Sequence, residues 1–372
     1  MIDCFAPKNS FWIDPQGNVR PCARFKKKLE HITVFESFSD IVNSDSFHAV
    51  RRELEQGQWP SGCVRCKEDE ERNLKSKRKF YSDIGLKSPD DFMIDISMGN
   101  FCNLKCRMCG PNNSTMWNSD FKFLVNEQLY KDPGIDFKAY QLSEEDIDKL
   151  VAHIESVKGE IYIELKGGEP LIMPQTKSLV DKIVTLKNAN KITLLIVTNA
   201  SVVPDWIDTL NSKIKKVDLV VSIDGVGDVF DYIRGNDKFN YEVCSKNIAY
   251  YNTLSNIDLK FNVVVQNLNV HQMLDVHLML KAFNTTVNYI TLSMPEFLAP
   301  NVMPSEARES IYSNFVKNSR QFDNYESIMQ NIHKLLLIEP LDTVYEQFKN
   351  ITLSLDQRRN QNILNVAPHL IN

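Results

Sequence analysis

The sequence lacks any apolar stretch of the roughly 20 residues that a membrane-spanning helix requires. Its opening residues, MIDCFAPKNS, also lack the charged-then-apolar pattern of a secretory signal. A cytoplasmic location is therefore expected, with no membrane partner. Charge of one sign is missing as well: 43 Lys and Arg against 48 Asp and Glu leave a net charge of −5. That balance gives no overall pull toward nucleic acid or an anionic membrane. Two local basic runs, Arg24–Lys28 and Lys75–Lys79, are diluted by Glu68, Asp69, Glu70 and Glu71. They read as solvated faces, and a patch for an acidic substrate or RNA is the sharper alternative. No internal repeat or low-complexity tract is present, which argues against a solenoid. Structural disulfides are not expected, because a reducing cytoplasm keeps the eight cysteines as thiols.

From Asp91 onward, apolar β-branched runs alternate with amphipathic ones. Strands are expected at Phe92–Ser97, Glu160–Lys166, Ile192–Thr198, Val217–Ile223, Leu259–Val265 and Tyr289–Ser293. Helices are expected between them at Pro174–Lys187, Pro204–Asn211, Tyr241–Leu254 and Val270–Phe283, several opened by a proline. Strands spaced by helices of this length predict right-handed βαβ units on a parallel sheet. The expected fold class is α/β, six units curling into a partial (β/α)6 barrel over residues 91–300. Reactive groups of such barrels sit on loops after the carboxyl ends of the strands. Residues 1–90 are turn-rich, without sustained periodicity, and form a separate cysteine-rich module. Residues 301–372 read as a helical segment, with helices at Ser305–Phe315, Tyr325–Leu337 and Leu341–Ile351, then a polar linker and a short apolar tail. These C-terminal helices are expected to close the barrel mouth.

The cysteines fall into sets. Cys102, Cys106 and Cys109 occupy one tight loop, GNFCNLKCRMCGP, directly after the first barrel strand. Three thiolates on one loop can bind three irons of a cubane and leave the fourth iron open to an outside chelator. Zinc would normally want a fourth Cys or His, and none is obvious in this loop. The Cys-x3-Cys-x2-Cys spacing resembles the signature of the radical S-adenosylmethionine (SAM) superfamily, whose open iron takes the amine and carboxylate of SAM. The resemblance extends along the strand ends. Gly167-Gly168-Glu169-Pro170 matches the family's GGEP motif, whose backbone contacts the SAM amine. Asn199, Ser222 and Asp224 match polar groups that meet the SAM ribose or the substrate. Arg234 matches an arginine that often pairs with the SAM carboxylate. Met108 stands where an aromatic residue near the adenine is common, and its thioether can still pack on a ring.

Cys4-x12-Gly17-x4-Cys22, followed by Cys63-x2-Cys66, resembles the SPASM/twitch modules of the same superfamily. Phe11-Trp12-Ile13 and Val19-Arg20 flank a turn at Asp14-Pro15-Gln16-Gly17-Asn18 and predict the hairpin such modules carry. Four cysteines imply one auxiliary [4Fe–4S] cluster, and a structural zinc site is the alternative. In the family the module usually follows the barrel; here it precedes it. Cys244 reads as a small buried thiol, with a hydrogen-atom donor as the minor reading.

The resemblance implies an enzyme with two [4Fe–4S] clusters and SAM, served by an electron donor such as flavodoxin or ferredoxin. It would cleave SAM reductively to a 5′-deoxyadenosyl radical that takes hydrogen from a substrate. A peptide or protein is the favoured substrate. A small metabolite, sugar, nucleoside or RNA is the alternative, so nucleic acid stays open as a partner. Gln266, Met294 and Glu296, at later strand ends, are candidate substrate contacts. A non-catalytic iron–sulfur protein is disfavoured by the intact SAM motifs.

Overall fold

A computed structural model describes residues 1–131, 133–134, 137–211, 213–255, 257–321, 332 and 334–371. The barrel strands are β4 (Phe92–Ser97), β5 (Ile161–Lys166), β6 (Ile192–Thr198), β7 (Lys216–Ser222), β8 (Ile257–Val265) and β9 (Val287–Thr291), each parallel to the next. Alternate residues separate two faces. Ile94 and Ile96, Ile163 and Leu165, Leu194 and Ile196, Leu219 and Val221, and Phe261 and Val263 are all fully buried. That face is covered by helices such as Glu144–Ser156 and Pro174–Ile183, which contribute Leu150, Ile154, Leu179 and Val180 to one core. The inner face is polar. Lys166 bridges Asp95 and Glu164 at 2.7 and 3.0 Å, and Asp218 holds Lys216 and Lys260 at 3.0 and 2.9 Å. Two-sided burial explains the near-continuous apolar runs, and the polar lumen explains their interruptions. The architecture is the expected α/β partial barrel.

The N-terminal residues extend this sheet. Strands β1 (Ser10–Ile13), β2 (Asn18–Arg20) and β3 (Glu30–His31) complete a nine-stranded order, β3-β2-β1-β4-β5-β6-β7-β8-β9. The β1–β2 hairpin is antiparallel, as the turn residues predict, but β1 runs parallel to β4 with Ser10 opposite Met93 and Trp12 opposite Asp95. A module placed ahead of the barrel therefore docks by strand addition at the first barrel strand. The residues after β3 hold more periodic structure than expected. Helix Asp45–Glu55 buries Phe47, Val50 and Leu54, a one-faced spacing.

Two further expectations are corrected. Pro204–Asn211 does not form an amphipathic helix; only a 3₁₀ turn, Ile207–Asn211, is present. Trp206, Ile207 and Leu210 are already buried by that turn, so the apolar pattern is satisfied without a full helix. The polar linker expected after Ile351 is instead the continuation of helix Asp342–Arg359, which buries Leu355 and Asp356. Asp356 is buried because it meets an arginine, a partner that composition alone does not reveal. The helix Ser305–Asn318 is present, while the expected helix Tyr325–Leu337 lies largely outside the described residues.

Candidate active site

The loop after β4 is closed by its own polar side chains. The amide of Asn100 donates to the carbonyls of Pro111 and Phe137, both at 2.9 Å, and Ser114 donates to the Leu104 carbonyl. The Arg107 amide donates to Ile233 at 2.9 Å, and Trp117 Nε1 donates to the Cys106 carbonyl at 2.8 Å. Cys102 and Cys106 are buried and Cys109 is half-buried. Burial pushes the Cys102 thiol up to about 12. Cys106 is held below the usual thiol range, first by a hydrogen bond from Cys109 and then by the Arg234 guanidinium. Asn199 Nδ2 lies 3.8 Å from Cys102 Sγ, and Arg234 Nη1 lies 3.7 Å from Cys106 Sγ. Buried thiols faced by cationic and amide donors suit thiolate ligands of a metal cluster.

The glycine pair after β5 packs against this loop. Gly167 and Gly168 have φ of +83° and +53°. A Cβ on Gly168 would lie 2.2 Å from the Phe101 carbonyl oxygen, so only glycine allows this approach. Glu169 is buried and its amide donates to that same carbonyl at 2.9 Å. Its carboxylate accepts from Leu171 N at 3.1 Å, Thr198 Oγ1 at 2.7 Å and Asn199 N at 2.6 Å. Burial outweighs these bonds and raises its pKa to about 7. Asn199 donates to Asn103 Oδ1 at 3.1 Å, which ties the end of β6 to the cysteine loop.

Arg234 is not free. Asp224 accepts from its Nε and Nη2, both at 2.6 Å, and the remaining Nη1 faces Cys106. Asp224 also accepts from Val264 N at 2.7 Å. Ser222 ends β7 half-buried, opposite Asn262, and Met108 packs partly buried on the core. The structure thus gathers the cysteine loop, Glu169, Asn199, Asp224 and Arg234 at the carboxyl ends of successive strands.

Other candidates are more dispersed. Cys244 lies fully buried in the apolar core, and burial raises it to about 12. Gln266 is also fully buried, and neither end of its amide has a hydrogen-bond partner among the described residues. Met294 is 74% exposed, whereas Glu296 lines a groove with Arg65, Arg72 and Ile338. The basic run Lys75–Lys79 is divided. Arg78 binds Glu70 through two nitrogens, at 2.9 and 2.6 Å. Lys75 pairs with Asp83 at 2.5 Å, and Lys75 and Lys77 line a cleft of about 880 Å³ with Tyr162, Thr193, Asp218 and Lys260 of the inner sheet face, at the amino ends of the strands.

The N-terminal cysteines also converge. Cys4, Cys22, Cys63 and Cys66 line one small apolar pocket with Phe25, Trp59 and Tyr81. Burial pushes Cys4 up to about 12 and raises Cys22 and Cys63, and neighbouring thiols add to each shift. Four thiolates are tolerable in such a pocket only around a cationic centre, so this donor set fits a metal cluster. Among the described residues, no three His, Cys, Asp or Glu side chains close on a single metal ion. The reading from sequence missed five residues. Asp120, Asp356 and Arg359 carry no motif and reach the site only through the fold, whereas Asn103 and Thr198 sit inside the cysteine loop and beside Asn199 and could have been found from those motifs.

Comparison with known families gives two matches. Residues 96–242 match the radical SAM superfamily, and residues 4–67 match the SPASM iron–sulfur cluster-binding domain. Among curated proteins, the GTP 3′,8-cyclase of Nostoc punctiforme is 26% identical over 185 residues, 49% of this chain and 50% of that protein. The GTP 3′,8-cyclase of a Picosynechococcus species is 27% identical over 193 residues, 51% and 52% of the two chains. The chain therefore spans about half the length of these relatives. Solved structures with similarity include anSMEcpe with bound AdoMet, at 13% identity and TM-score 0.43, covering 65% of this chain and 62% of that one. Streptococcus suis SuiB bound to its precursor peptide SuiA gives 13% identity and TM-score 0.40, covering 86% and 70%. No helix among the described residues is long and apolar enough to cross a membrane.

Proposed function

We propose that this chain, a radical SAM enzyme with an iron–sulfur cluster-binding domain ahead of its core, abstracts hydrogen from a peptide or protein substrate held in the barrel. One observation carries the SAM-cleaving part of the reading: the Cys102–Cys109 loop, Glu169, Asn199 and Arg234 meet beyond the carboxyl ends of successive strands. In this reading Cys102, Cys106 and Cys109 hold the catalytic [4Fe–4S] cluster, and Cys4, Cys22, Cys63 and Cys66 hold the auxiliary one. The catalytic cluster supplies the electron that splits SAM into methionine and a 5′-deoxyadenosyl radical. The chain's own residues do the rest. Gly167 and Gly168 bring main-chain groups against the loop, where they would meet the SAM amine, and the buried Glu169 ties that turn to the end of β6. Arg234 and Asn199 donate toward cysteine sulfur, and Asp224 fixes Arg234 in place. In the same reading Asn199 and Ser222 would meet the ribose, and the Met108 thioether would pack on the adenine. The working units are residues 1–90, 91–300 and 301–372.

A nucleoside substrate is the second reading, favoured by the GTP 3′,8-cyclase relatives. Reconstituted, reduced protein should convert SAM to 5′-deoxyadenosine and carry about eight irons per chain, given two cubanes. Replacing Cys102, Cys106 and Cys109 by Ala should abolish cleavage and leave about four irons. Robust cleavage by that variant would sink the assignment. Deuterium transfer into 5′-deoxyadenosine from a nucleoside, and from no peptide, would move the substrate to the second reading.

A further inference from the structure

The C-terminal helix grips the cysteine loop through buried charges. Arg107, between Cys106 and Met108, binds Asp356 of that helix and donates to Gln361 Oε1 at 2.7 Å. Asp356 is held in turn by Tyr232 Oη at 2.8 Å and Ile363 N at 2.7 Å. Three residues along the helix, Arg359 donates to Asp120 Oδ2 at 2.8 Å. Its guanidinium lies 4.8 Å from the centre of the Trp117 ring, the ring that hydrogen-bonds the Cys106 carbonyl. Arg358 and Lys105 also reach Asp120, at 2.8 and 3.4 Å.

The charges do not balance. Lys105, Arg107, Arg358 and Arg359 face two carboxylates, Asp120 and Asp356. The side chains of Arg107 and Arg359 are 3% and 5% exposed. Nε and Nη1 of Arg107 and Nη2 of Arg359 are buried without a hydrogen-bond acceptor among the described residues. Lys105 and Arg358 are 30% and 35% exposed and reach water, whereas the unmet N–H groups of Arg107 and Arg359 are buried, which is costly unless an anion lies beside them. Three cysteine thiolates around a cubane supply that anion, and reduction makes it more negative.

We propose that Arg107 and Arg359 form an electrostatic collar that raises the reduction potential of the cluster held by Cys102, Cys106 and Cys109. Arg359 is carried by the C-terminal helix, and Asp356 and Asp120 set the collar's strength. The inference rests on these three cysteines being the ligands. Fixed positive charge in a low-dielectric surround favours the added electron and so eases SAM cleavage. Arg107 and Arg359 are positioning residues; neither need touch SAM or the substrate.

The test is a potentiometric titration of the reconstituted two-cluster protein, followed by electron paramagnetic resonance without SAM. R359Q should make the catalytic cluster harder to reduce by roughly tenfold in its reduction equilibrium, about 59 mV for one electron. R359K should stay near wild type. D356N, which removes a carboxylate, should shift the potential the opposite way. The auxiliary cluster should not move in any of them. Cluster-bearing variants with the wild-type potential would overturn the proposal, as would R359Q and D356N shifting in the same direction. If R359Q does not hold its clusters, D356N and D120N decide, because both must raise the potential and an unchanged value overturns the collar. A C102A variant separates the two readings: if it keeps the catalytic-cluster signal, the ligand assignment is at fault rather than the collar.

Discussion

Glu169 shows how one carboxylate couples two strand ends. It accepts from Thr198 and Asn199 after β6 while its own amide holds the cysteine loop at Phe101. Burial raises its pKa from 4.5 to about 7, so its protonated form is favoured in the folded chain. For a group raised in this way, the stability is fully present below about 4.5 and is lost as pH rises through about 7. A shift of this size corresponds to about 3 kcal/mol. E169Q keeps the shape but cannot ionise, and its amide cannot accept as fully from three donors. Its unfolding free energy should therefore be lower by about 1–3 kcal/mol at pH 6. Between pH 6 and 8 it should fall less steeply than that of the wild type. Denaturant titrations at the two pH values check this, and equal slopes would show that another group carries the dependence. The sequence makes the Gly-Gly-Glu-Pro motif legible because its spacing is local. It does not reveal that Arg234 is committed to Asp224, since that depends on how β7 and the helix after it pack.

Among the larger elements, strand β1 is the most consequential. Its four residues pair in parallel with β4, and Phe11 packs edge-on to Phe92 with ring centroids 5.7 Å apart. The hairpin thereby covers an edge of the barrel sheet that would otherwise offer unpaired backbone groups. A chain lacking residues 1–90 should consequently aggregate rather than fold as a free barrel. Analytical ultracentrifugation of that truncation is the check; a monodisperse, folded monomer would contradict it. The barrel strands were readable because their apolar runs are local and two-sided burial leaves few alternatives. The pairing of β1 with β4 was not, because it joins segments about eighty positions apart and any apolar strand would satisfy the pattern. The helix Asp342–Arg359 was read short for a related reason. Its second half is polar, and its burial depends on Asp356 and Arg359 meeting Arg107 and Asp120.

Across the whole molecule the two cysteine sets sit toward opposite ends of the sheet. Cys4 and Cys22 pack with Met93 and Tyr162 near the start of β4 and β5, whereas Cys102 follows the end of β4. With a rise of about 3.3 Å per residue, the two sets are roughly 15–20 Å apart. The inner sheet face runs between them, and its cleft lies at the amino ends of the strands, on the side of Cys4 and Cys22. The cleft was not legible in the sequence because it is assembled from α-helical residues near Lys77 and from strands up to about two hundred positions away. Under the proposed assignment Cys4, Cys22, Cys63 and Cys66 supply all four ligands, which would leave the auxiliary cluster no open iron for the substrate and give it an electron-relay or structural part. The two parts give different outcomes for C63S/C66S. A relay predicts that dithionite-driven SAM cleavage without substrate stays within about threefold of wild type, because the catalytic loop is untouched. It also predicts that turnover of a peptide requiring a second electron transfer falls by tenfold or more. Paired assays of 5′-deoxyadenosine and modified peptide on the same preparation measure both quantities. A proportional loss of both would mean that the pocket beneath Met93 and Tyr162 only holds the barrel together.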